Sequence, residues 1–284
     1  MKYITYILIA VFLSSVLFAS LPVTFFNQEN VVTLRCTNQK VDVSELQKSA
    51  EIIRARLRTM GVDSFRLALE DSVIKIRFAN SIQAEQLKDV LLVRGFFGFH
   101  ETEDKNKLIT YLSDNKLLDH LLELSNISDS RSELGRFNRS DLGKANSIVS
   151  AINKELSDHN LKLAWSNYPV SEDQWALSLI YSKSVLDGAS IVEATADTDK
   201  SSASTSINLK MNEVGAKLWK VVTSRNINKE IAIVIDGEVY FAPTVRSEIT
   251  GGNCMITGDF SGDEADRLLG LILHGPLPLD FELK

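Results

Sequence analysis

The chain has 284 residues and a formal net charge of −6, with 44% hydrophobic and 24% charged residues. This length is enough for two small domains, or for one domain with a large insertion. Lys and Arg are scattered among acidic residues along the sequence. Because a nucleic-acid-binding protein normally shows a basic stripe, the composition excludes that class.

The N-terminal segment 1–26 is predicted to be either a signal peptide or a membrane anchor. Lys2 precedes a run without charge over residues 4–26, with small residues at Ala19 and Ser20. A basic start, an apolar centre and small residues are typical of a secretory signal peptide. The run is also just long enough to cross a membrane, which takes roughly 20 apolar residues, although Pro22 weakens this alternative. Both alternatives predict an exported chain, and in the second residues 4–26 anchor it.

Residues 29–104 show the pattern of a ferredoxin-like unit. Asp42 is placed to cap the first helix and Gly61 to end it, and Ser81 is placed to cap the second. The predicted elements are strand 31–35, helix 42–60, strands 65–69 and 73–78, helix 81–95 and strand 96–100. The order strand, helix, strand, strand, helix, strand is that of the ferredoxin-like fold.

Residues 105–160 are predicted to be a helical insertion. Leucines recur over 108–124, and Ala145, Val149 and Ile152 share one side of a second predicted helix over 141–156. The segment 126–138 between them is rich in Ser, Asn and Asp, which is typical of a loop.

Residues 161–284 alternate strand and helix patterns, which predicts a mixed α/β subdomain and an α+β fold for the chain. Asp236 and Gly237 divide residues 231–242 into a β-hairpin, because this pair tolerates the positive φ angles of a tight turn. Ser261 and Glu264 have the spacing of a capping box for the last helix. We therefore interpret Asp236 as a turn residue and Glu264 as a cap, and neither as a catalytic acid.

The cysteines, the histidines and the glycine pair of the sequence predict no metal site, no cofactor and no enzymatic activity. Cys36 and Cys254 fall in different predicted lobes, so two buried free thiols are favoured over a disulfide. The four histidines are too isolated for a zinc site. Gly251-Gly252 lacks the following Lys-Ser/Thr of a phosphate loop, so we expect these glycines to serve the backbone.

A series of residues in the last third of the chain resembles the head of the first periplasmic domain of the SecD proteins of the SecDF export family. The hairpin reads IAIVIDG over 231–237, and the earlier unit also fits through Arg56 to Val62. The matching positions are Gly188, Ala189, Asp197, Gly215, Asp236, Gly237, Pro243, Gly251, Gly252, Gly258, Phe260, Glu264, Ala265, Gly275 and Pro278. The resemblance implies a ferredoxin-like base joined to a head with a mixed sheet.

The resemblance also implies a function. It predicts a non-enzymatic accessory module of protein export, either periplasmic or anchored in the inner membrane and facing the periplasm. Its expected partner is a protein: a translocon component, an unfolded secreted chain or an envelope complex. The insertion 105–160 has no counterpart in the family pattern, and the sequence ends at Lys284 without the later membrane helices of SecD. A structural docking subunit of a cell-envelope complex unrelated to export is the alternative.

Aromatic residues predict where such a partner would bind. The candidates for a contact surface are Trp165, Tyr168, Trp175, Tyr240 and Phe241. For Trp165 and Tyr168, beside Pro169, an exposed surface and a core position both remain open, whereas Trp219 is predicted to lie in the core. Exposed apolar surface or an open sheet edge would accept an extended segment.

Overall fold

A computed structural model describes residues 31–79, 87–199, 204–258 and 261–284. The predicted signal peptide or anchor, the predicted cap Ser81 and the family position Phe260 lie outside these described residues. Within the described ranges, no helix combines the length and apolarity needed to cross a membrane.

The helices and strands alternate along the chain. The helices are α1 (Val43–Thr59), α2 (Lys88–Leu92), α3 (Leu108–Tyr111), α4 (Lys116–Glu123), α5 (Leu142–Leu156), α6 (Glu213–Arg225) and α7 (Gly262–His274). The strands are β1 (Val31–Cys36), β2 (Phe65–Glu70), β3 (Val73–Phe78), β4 (Phe97–Glu101), β5 (Ser125–Asn126), β6 (Glu133–Asn138), β7 (Leu161–Trp165), β8 (Gln174–Tyr181), β9 (Leu186–Asp187), β10 (Ile191–Asp199), β11 (Ser204–Met211), β12 (Ile231–Ile235), β13 (Glu238–Phe241), β14 (Asn253–Gly258) and β15 (Phe281–Leu283). This mixture confirms the predicted α+β class.

The base is an antiparallel sheet in the order β15, β1, β3, β2, which we call the base sheet. Leu34 and Ile76 are fully buried on its inner side, where Ile53 and Leu57 of α1 pack against them. This periodicity was readable in the sequence, since α1 repeats apolar residues at helical spacing and β3 alternates. Cys36 and Cys254 are buried free thiols in separate cores, as predicted.

The fourth strand predicted for the base belongs to the head instead. Strand β4 pairs with β12 and β9, and its residues from Phe97 to His100 are all buried. A strand at the edge of the base would keep one face in water, whereas β4 is covered on both. The edge position beside β1 is taken by β15, with Phe281 opposite Cys36.

The head contains two sheets. We call the order β13, β12, β4, β9 the hairpin sheet, and β10, β11, β14 form a second sheet. The Phe99 ring of β4 lies 4.6 Å from the ring of Trp219 on α6, and Trp219 is buried, which confirms its predicted core position. Helix α7 contributes Leu268 and Ile272 to the same core.

The predicted helical insertion is a mixed α/β unit. Strand β6 lies within the segment predicted to be a loop, because pairing with β8 overrides its polar composition. Strands β5, β6, β8 and β7 form a sheet that we call the insertion sheet. Its strands β7 and β8 lie in the range 161–284 that the sequence assigned to the head, but in the structure they belong to the insertion. Ile180 and Ala164 on this sheet pack against Ala232 and Val234 of the hairpin sheet.

Two chain segments join base and head, near Arg94 and near Gly275. Arg56 of α1 is fully buried between them, and its guanidinium donates hydrogen bonds to the carbonyl oxygens of Val90, Val93, Arg94 and Gly275. Arg94 in turn donates to the carbonyl oxygens of Leu277 and Pro278 at 3.1 and 3.0 Å. The junction is therefore held by two arginines that satisfy backbone acceptors.

Candidate functional site

The strongest candidate site is a cavity of about 380 Å³ in the head, which we call the tyrosine pocket. It opens between the segment 166–170 that follows β7, strand β13 and helix α7. Its walls are Asp89, Ser166, Tyr168, Pro169, Val170, Tyr240, Phe241, Glu264, Arg267, Leu268 and Leu271. The volume lies within the range of small ligand pockets in proteins.

The β12–β13 hairpin positions the first wall. Asp236 and Gly237 adopt φ angles of 51° and 92°, so the tight turn predicted from this pair is present. The turn sends β13 back along β12 and brings Tyr240 and Phe241 to the pocket. The Asp236 carboxylate does more than the turn requires, since it accepts hydrogen bonds from the amides of Gly95 and Phe96.

The second wall is tied to the same hairpin. Ser166 forms an isolated parallel bridge with Val239, and the Asn167 amide donates to the Val239 carbonyl oxygen at 2.9 Å. The Asn167 side chain also donates to the carboxylate of Glu238 at 2.6 Å. These contacts hold Tyr168 against Tyr240, so the pocket joins the insertion sheet to the hairpin sheet.

Helix α7 supplies the floor. The capping box predicted for Ser261 and Glu264 is present in both directions. Leu268 and Leu271 are almost fully buried and close the pocket from below. The hydrogen bond from the Ser261 amide, with its hydroxyl and the charge of Arg267, lowers the pKa of Glu264, which therefore stays ionised at the rim.

The two tyrosines define the polar character of the pocket. Their rings lie 5.7 Å apart and nearly perpendicular, at 84°. Burial, followed by the negative charge of Asp89, raises the pKa of Tyr168 to about 12, and burial also raises the pKa of Tyr240. Both phenols are therefore neutral, and neither hydroxyl bonds another described residue.

An apolar cavity with two neutral hydroxyls can bind a bulky apolar side chain and still offer hydrogen bonds to a backbone. Val170, 45% exposed, lies at the mouth, and Asp89 and Glu264 carry negative charge there. Across the described residues, no group of three or more His, Cys, Asp and Glu side chains is arranged to hold a metal ion. The described cavity thus combines an apolar floor, two neutral hydroxyl groups and a negatively charged mouth.

The structure brings together three of the five aromatic residues predicted to form a contact surface, namely Tyr168, Tyr240 and Phe241. Trp165 instead packs its ring 5.0 Å from Phe137 in the core of the insertion. Trp175 lies on β8 beneath the guanidinium of Arg139, at 5.4 Å. Sequence reasoning missed Asp89, Arg267 and Leu271, because they come from helices distant in sequence and carry no local signal.

The family positions lie mostly at turns, caps and close contacts. Gly215, buried in α6, donates its amide to the capping side chain of Asn212 at 2.8 Å. Gly252 has φ of 67°, and a Cβ atom there would lie 2.5 Å from that of Ala216. Around β10, Gly188 and Ala189 form the preceding turn and Asp197 lies on the strand. Around β13 and β14, Pro243 follows β13, Gly251 precedes β14 and Gly258 ends β14. On α7, Ala265 is buried and Gly275 ends the helix with φ of 67°, and Pro278 precedes β15.

Comparison with known proteins identifies the same part of the chain. Residues 166–279 match the family model of the SecDF P1 head subdomain. The protein translocase subunit SecD of Acidaminococcus fermentans is 40% identical over 99 residues, which are 35% of this chain and 24% of that protein. The SecD of Rickettsia bellii is 33% identical over 114 residues, which are 40% of this chain and 22% of that protein. The matches thus span about a quarter of these relatives.

Solved structures extend the likeness beyond the head. One solved structure is that of a membrane component SecDF that enhances protein export. The alignment covers 89% of this chain and 97% of that chain, with a TM-score of 0.51 and 22% sequence identity. The alignment with SecDF in a super-membrane-facing form covers 89% of this chain and 29% of that chain, with a TM-score of 0.53. At this identity the likeness establishes the fold. The chain therefore shares the fold of these SecDF structures, and its residues 166–279 are similar to the SecDF P1 head subdomain.

Proposed function

We propose that this chain is an accessory module of protein export that holds extended segments of an unfolded exported chain in the tyrosine pocket. The observation that carries the proposal is the apolar cavity between Tyr168, Tyr240 and α7 inside the family-matched segment. Its relatives are translocase subunits, and one SecDF structure is described as enhancing export. The module acts in the periplasm, free or anchored through residues 4–26.

The chemistry of the pocket fits an unfolded chain better than a single small molecule. Unfolded segments expose bulky apolar side chains, and the floor of Leu268 and Leu271 would bury one of them. The neutral hydroxyls of Tyr168 and Tyr240 would pair with backbone groups, which are the same in every sequence. The site would therefore select extended apolar segments with little sequence preference. It needs no catalytic group.

Site-specific photocrosslinking in cells tests the proposal. A photoreactive phenylalanine replaces Tyr240 in the pocket, and the same residue replaces Trp175 on the insertion as the matched control. We expect secreted precursors to crosslink at position 240 and not at position 175. Capture of one folded partner alone at position 240, with no precursor, would contradict the proposal and favour a docking subunit.

A binding measurement with purified protein tests the same proposal through the dissociation constant of an unfolded polypeptide. Val170→Asp places a charge at the pocket mouth, whereas Ile127→Asp makes the same kind of change at a residue that is 94% exposed on the insertion. We expect Val170→Asp to weaken binding of a fluorescent, permanently unfolded polypeptide about tenfold. Ile127→Asp should leave the dissociation constant unchanged. Equal affinities for both variants would argue against the pocket.

A further inference from the structure

The charged residues around the tyrosine pocket are mostly acidic. Asp89, Glu264 and Arg267 belong to its walls. Asp236 and Glu238 lie in the β12–β13 hairpin, which supplies one of the two tyrosines, and their charges act on that tyrosine. Four carboxylates thus lie in or near the pocket, whereas Arg267 is the one basic residue among its described walls.

The two phenols show which carboxylate matters most. Burial raises the pKa of Tyr240, followed by the neighbouring Tyr168 and then by the negative charges of Asp89, Glu238 and Asp236. Burial also raises the pKa of Tyr168 to about 12, and Asp89 is the next largest cause. Asp89 is therefore the carboxylate that acts most strongly on both tyrosine walls.

Two of the other carboxylates have a positive charge nearby. Glu264 belongs to the α7 capping box, where the amide of Ser261 lowers its pKa and the charge of Arg267 adds to this effect. Burial lowers the pKa of Arg56, and the negative charge of Asp236 opposes this change. The charges of Glu264 and Asp236 are therefore partly offset within the fold.

Asp89 has no such counter-charge. It is half-buried on α2 and forms neither a hydrogen bond nor an ion pair with another described residue. The residues 80–86 that precede α2 contain no Lys or Arg, and Lys88 is exposed and does not line the pocket. Burial of a charge without a partner is costly, so a cation bound beside Asp89 would be stabilised.

The shape of the pocket suits a cation with an apolar stem. The rings of Tyr168 and Tyr240 lie 5.7 Å apart and nearly perpendicular, and the face of a tyrosine ring attracts a positive charge. Leu268 and Leu271 form an apolar floor below them. Basic side chains bury their methylene stems on apolar surface while the charged end stays at a polar group, which Asp89 provides here.

We propose that the tyrosine pocket selects a basic side chain within an extended segment, with its stem on the floor of α7 and its charge between Asp89 and the two tyrosine rings. This inference rests on the proposed function and names the class of segment that is bound. Backbone contacts are common to all sequences, and the charge adds a preference to them. Arg267 limits this preference, because it places one positive charge in the same wall.

The test compares two labelled peptides that differ by one charge. Each is flexible, blocked at both ends and uncharged except for a single lysine between leucines. In the second peptide this lysine is acetylated, which removes the charge and keeps the stem. Fluorescence anisotropy with the full chain in mild detergent gives both dissociation constants. We expect the lysine peptide to bind about tenfold more tightly.

Variants of the pocket assign the preference to its charges. Asp89→Asn should reduce the tenfold ratio to about threefold, with the remainder supplied by the tyrosine rings. Arg267→Gln should increase the ratio, because it removes the opposing charge. Asp129→Asn removes a carboxylate from an exposed residue of the insertion and should leave the ratio unchanged.

The outcomes separate this inference from the proposed function. Equal affinities of the two peptides, or a ratio that Asp89→Asn does not change, would overturn the preference for a basic side chain while leaving an export module that binds unfolded segments. If neither peptide binds, both the pocket and its preference are wrong. If Asp89→Asn does not fold, the salt series decides, since salt should weaken binding of the lysine peptide and not of the acetylated one.

Discussion

The guanidinium group of Arg56, on the first helix of the base, donates a hydrogen bond of 2.7 Å to the carbonyl oxygen of Gly275, where the chain leaves the head. The same group donates to Arg94 at 2.6 Å, where the chain enters the head. One buried side chain thus satisfies backbone acceptors of both connections. Burial lowers the pKa of Arg56 to about 10, so the group remains charged at neutral pH.

Replacing this arginine should destabilise the junction between base and head. Arg56→Met keeps much of the apolar stem but leaves buried carbonyl oxygens without donors. Hydrogen bonds to a charged group contribute about 1.5–3 kcal/mol each, so we expect the free energy of unfolding to fall by about 3 kcal/mol or more. Arg58→Met, an exposed change two residues along α1, should cost less than about 0.5 kcal/mol. Urea unfolding compares the two variants, and equal midpoints would show that the contacts do not matter.

Asp236 should contribute to stability beyond its turn. Its carboxylate accepts from the amides of Gly95 and Phe96, 141 and 140 residues away in sequence. Asp236→Asn keeps a residue that tolerates positive φ but removes the charge and one acceptor, and should cost about 1–2 kcal/mol. Asp71→Asn is the matched control, since Asp71 also has a positive φ, of 50°, in an exposed turn. If thermal unfolding gives both variants the same loss, Asp236 acts through the turn alone.

The two glycines before β14 should differ in their tolerance of alanine. At Gly252 a Cβ atom would approach that of Ala216 to 2.5 Å, and φ is 67°. At Gly251 the nearest atom is 3.8 Å away, on the Asn253 side chain. We expect Gly252→Ala to cost about 2 kcal/mol through overpacking and strain, and Gly251→Ala to be nearly neutral. Chemical denaturation of both variants checks this, and similar losses would contradict the asymmetry.

Local signals in the sequence were sufficient for elements such as the β12–β13 hairpin but not for the way the elements assemble. The Asp236-Gly237 pair predicts its turn because the positive φ requirement lies within two residues. The tie from Asp236 to Gly95 has no local signature, and neither has the pairing of β15 with β1, which rests on three residues at the far end of the chain. The ferredoxin-like pattern therefore led to the wrong fourth strand.

The same distinction applies to the candidate site. Tyr240 could be predicted at a contact surface, because a hairpin with aromatic residues after its turn presents them together. Leu271 and Asp89 could not, since α7 and α2 reach the pocket only once base and head have folded. Polar composition also concealed β6, which becomes a strand because β8 provides its hydrogen bonds. Tertiary partners decide such segments, and a single sequence does not specify them.

The pH dependence of stability should show the charge on the α7 capping box. The Ser261 amide bonds the Glu264 carboxylate at 2.8 Å and lowers its pKa. A carboxyl group with a lowered folded-state pKa stabilises the fold above its unfolded value of about 4.3, and this contribution is lost as the pH falls through the lower folded value. Glu264→Ala should therefore cost about 1 kcal/mol at neutral pH.

The difference in the free energy of unfolding between the wild-type chain and Glu264→Ala should then shrink in acid, because the wild-type carboxyl loses its charge while the alanine variant has none to lose. Glu213→Ala is the control, since Glu213 also lies in the first turn of a helix but makes no hydrogen bond to another described residue. Urea unfolding of the wild-type chain and both variants, repeated from neutral to acidic pH, gives the comparison. A deficit for Glu264→Ala that stayed constant down to the acid limit would mean that packing at α7, and not the charged cap, stabilises this wall of the tyrosine pocket.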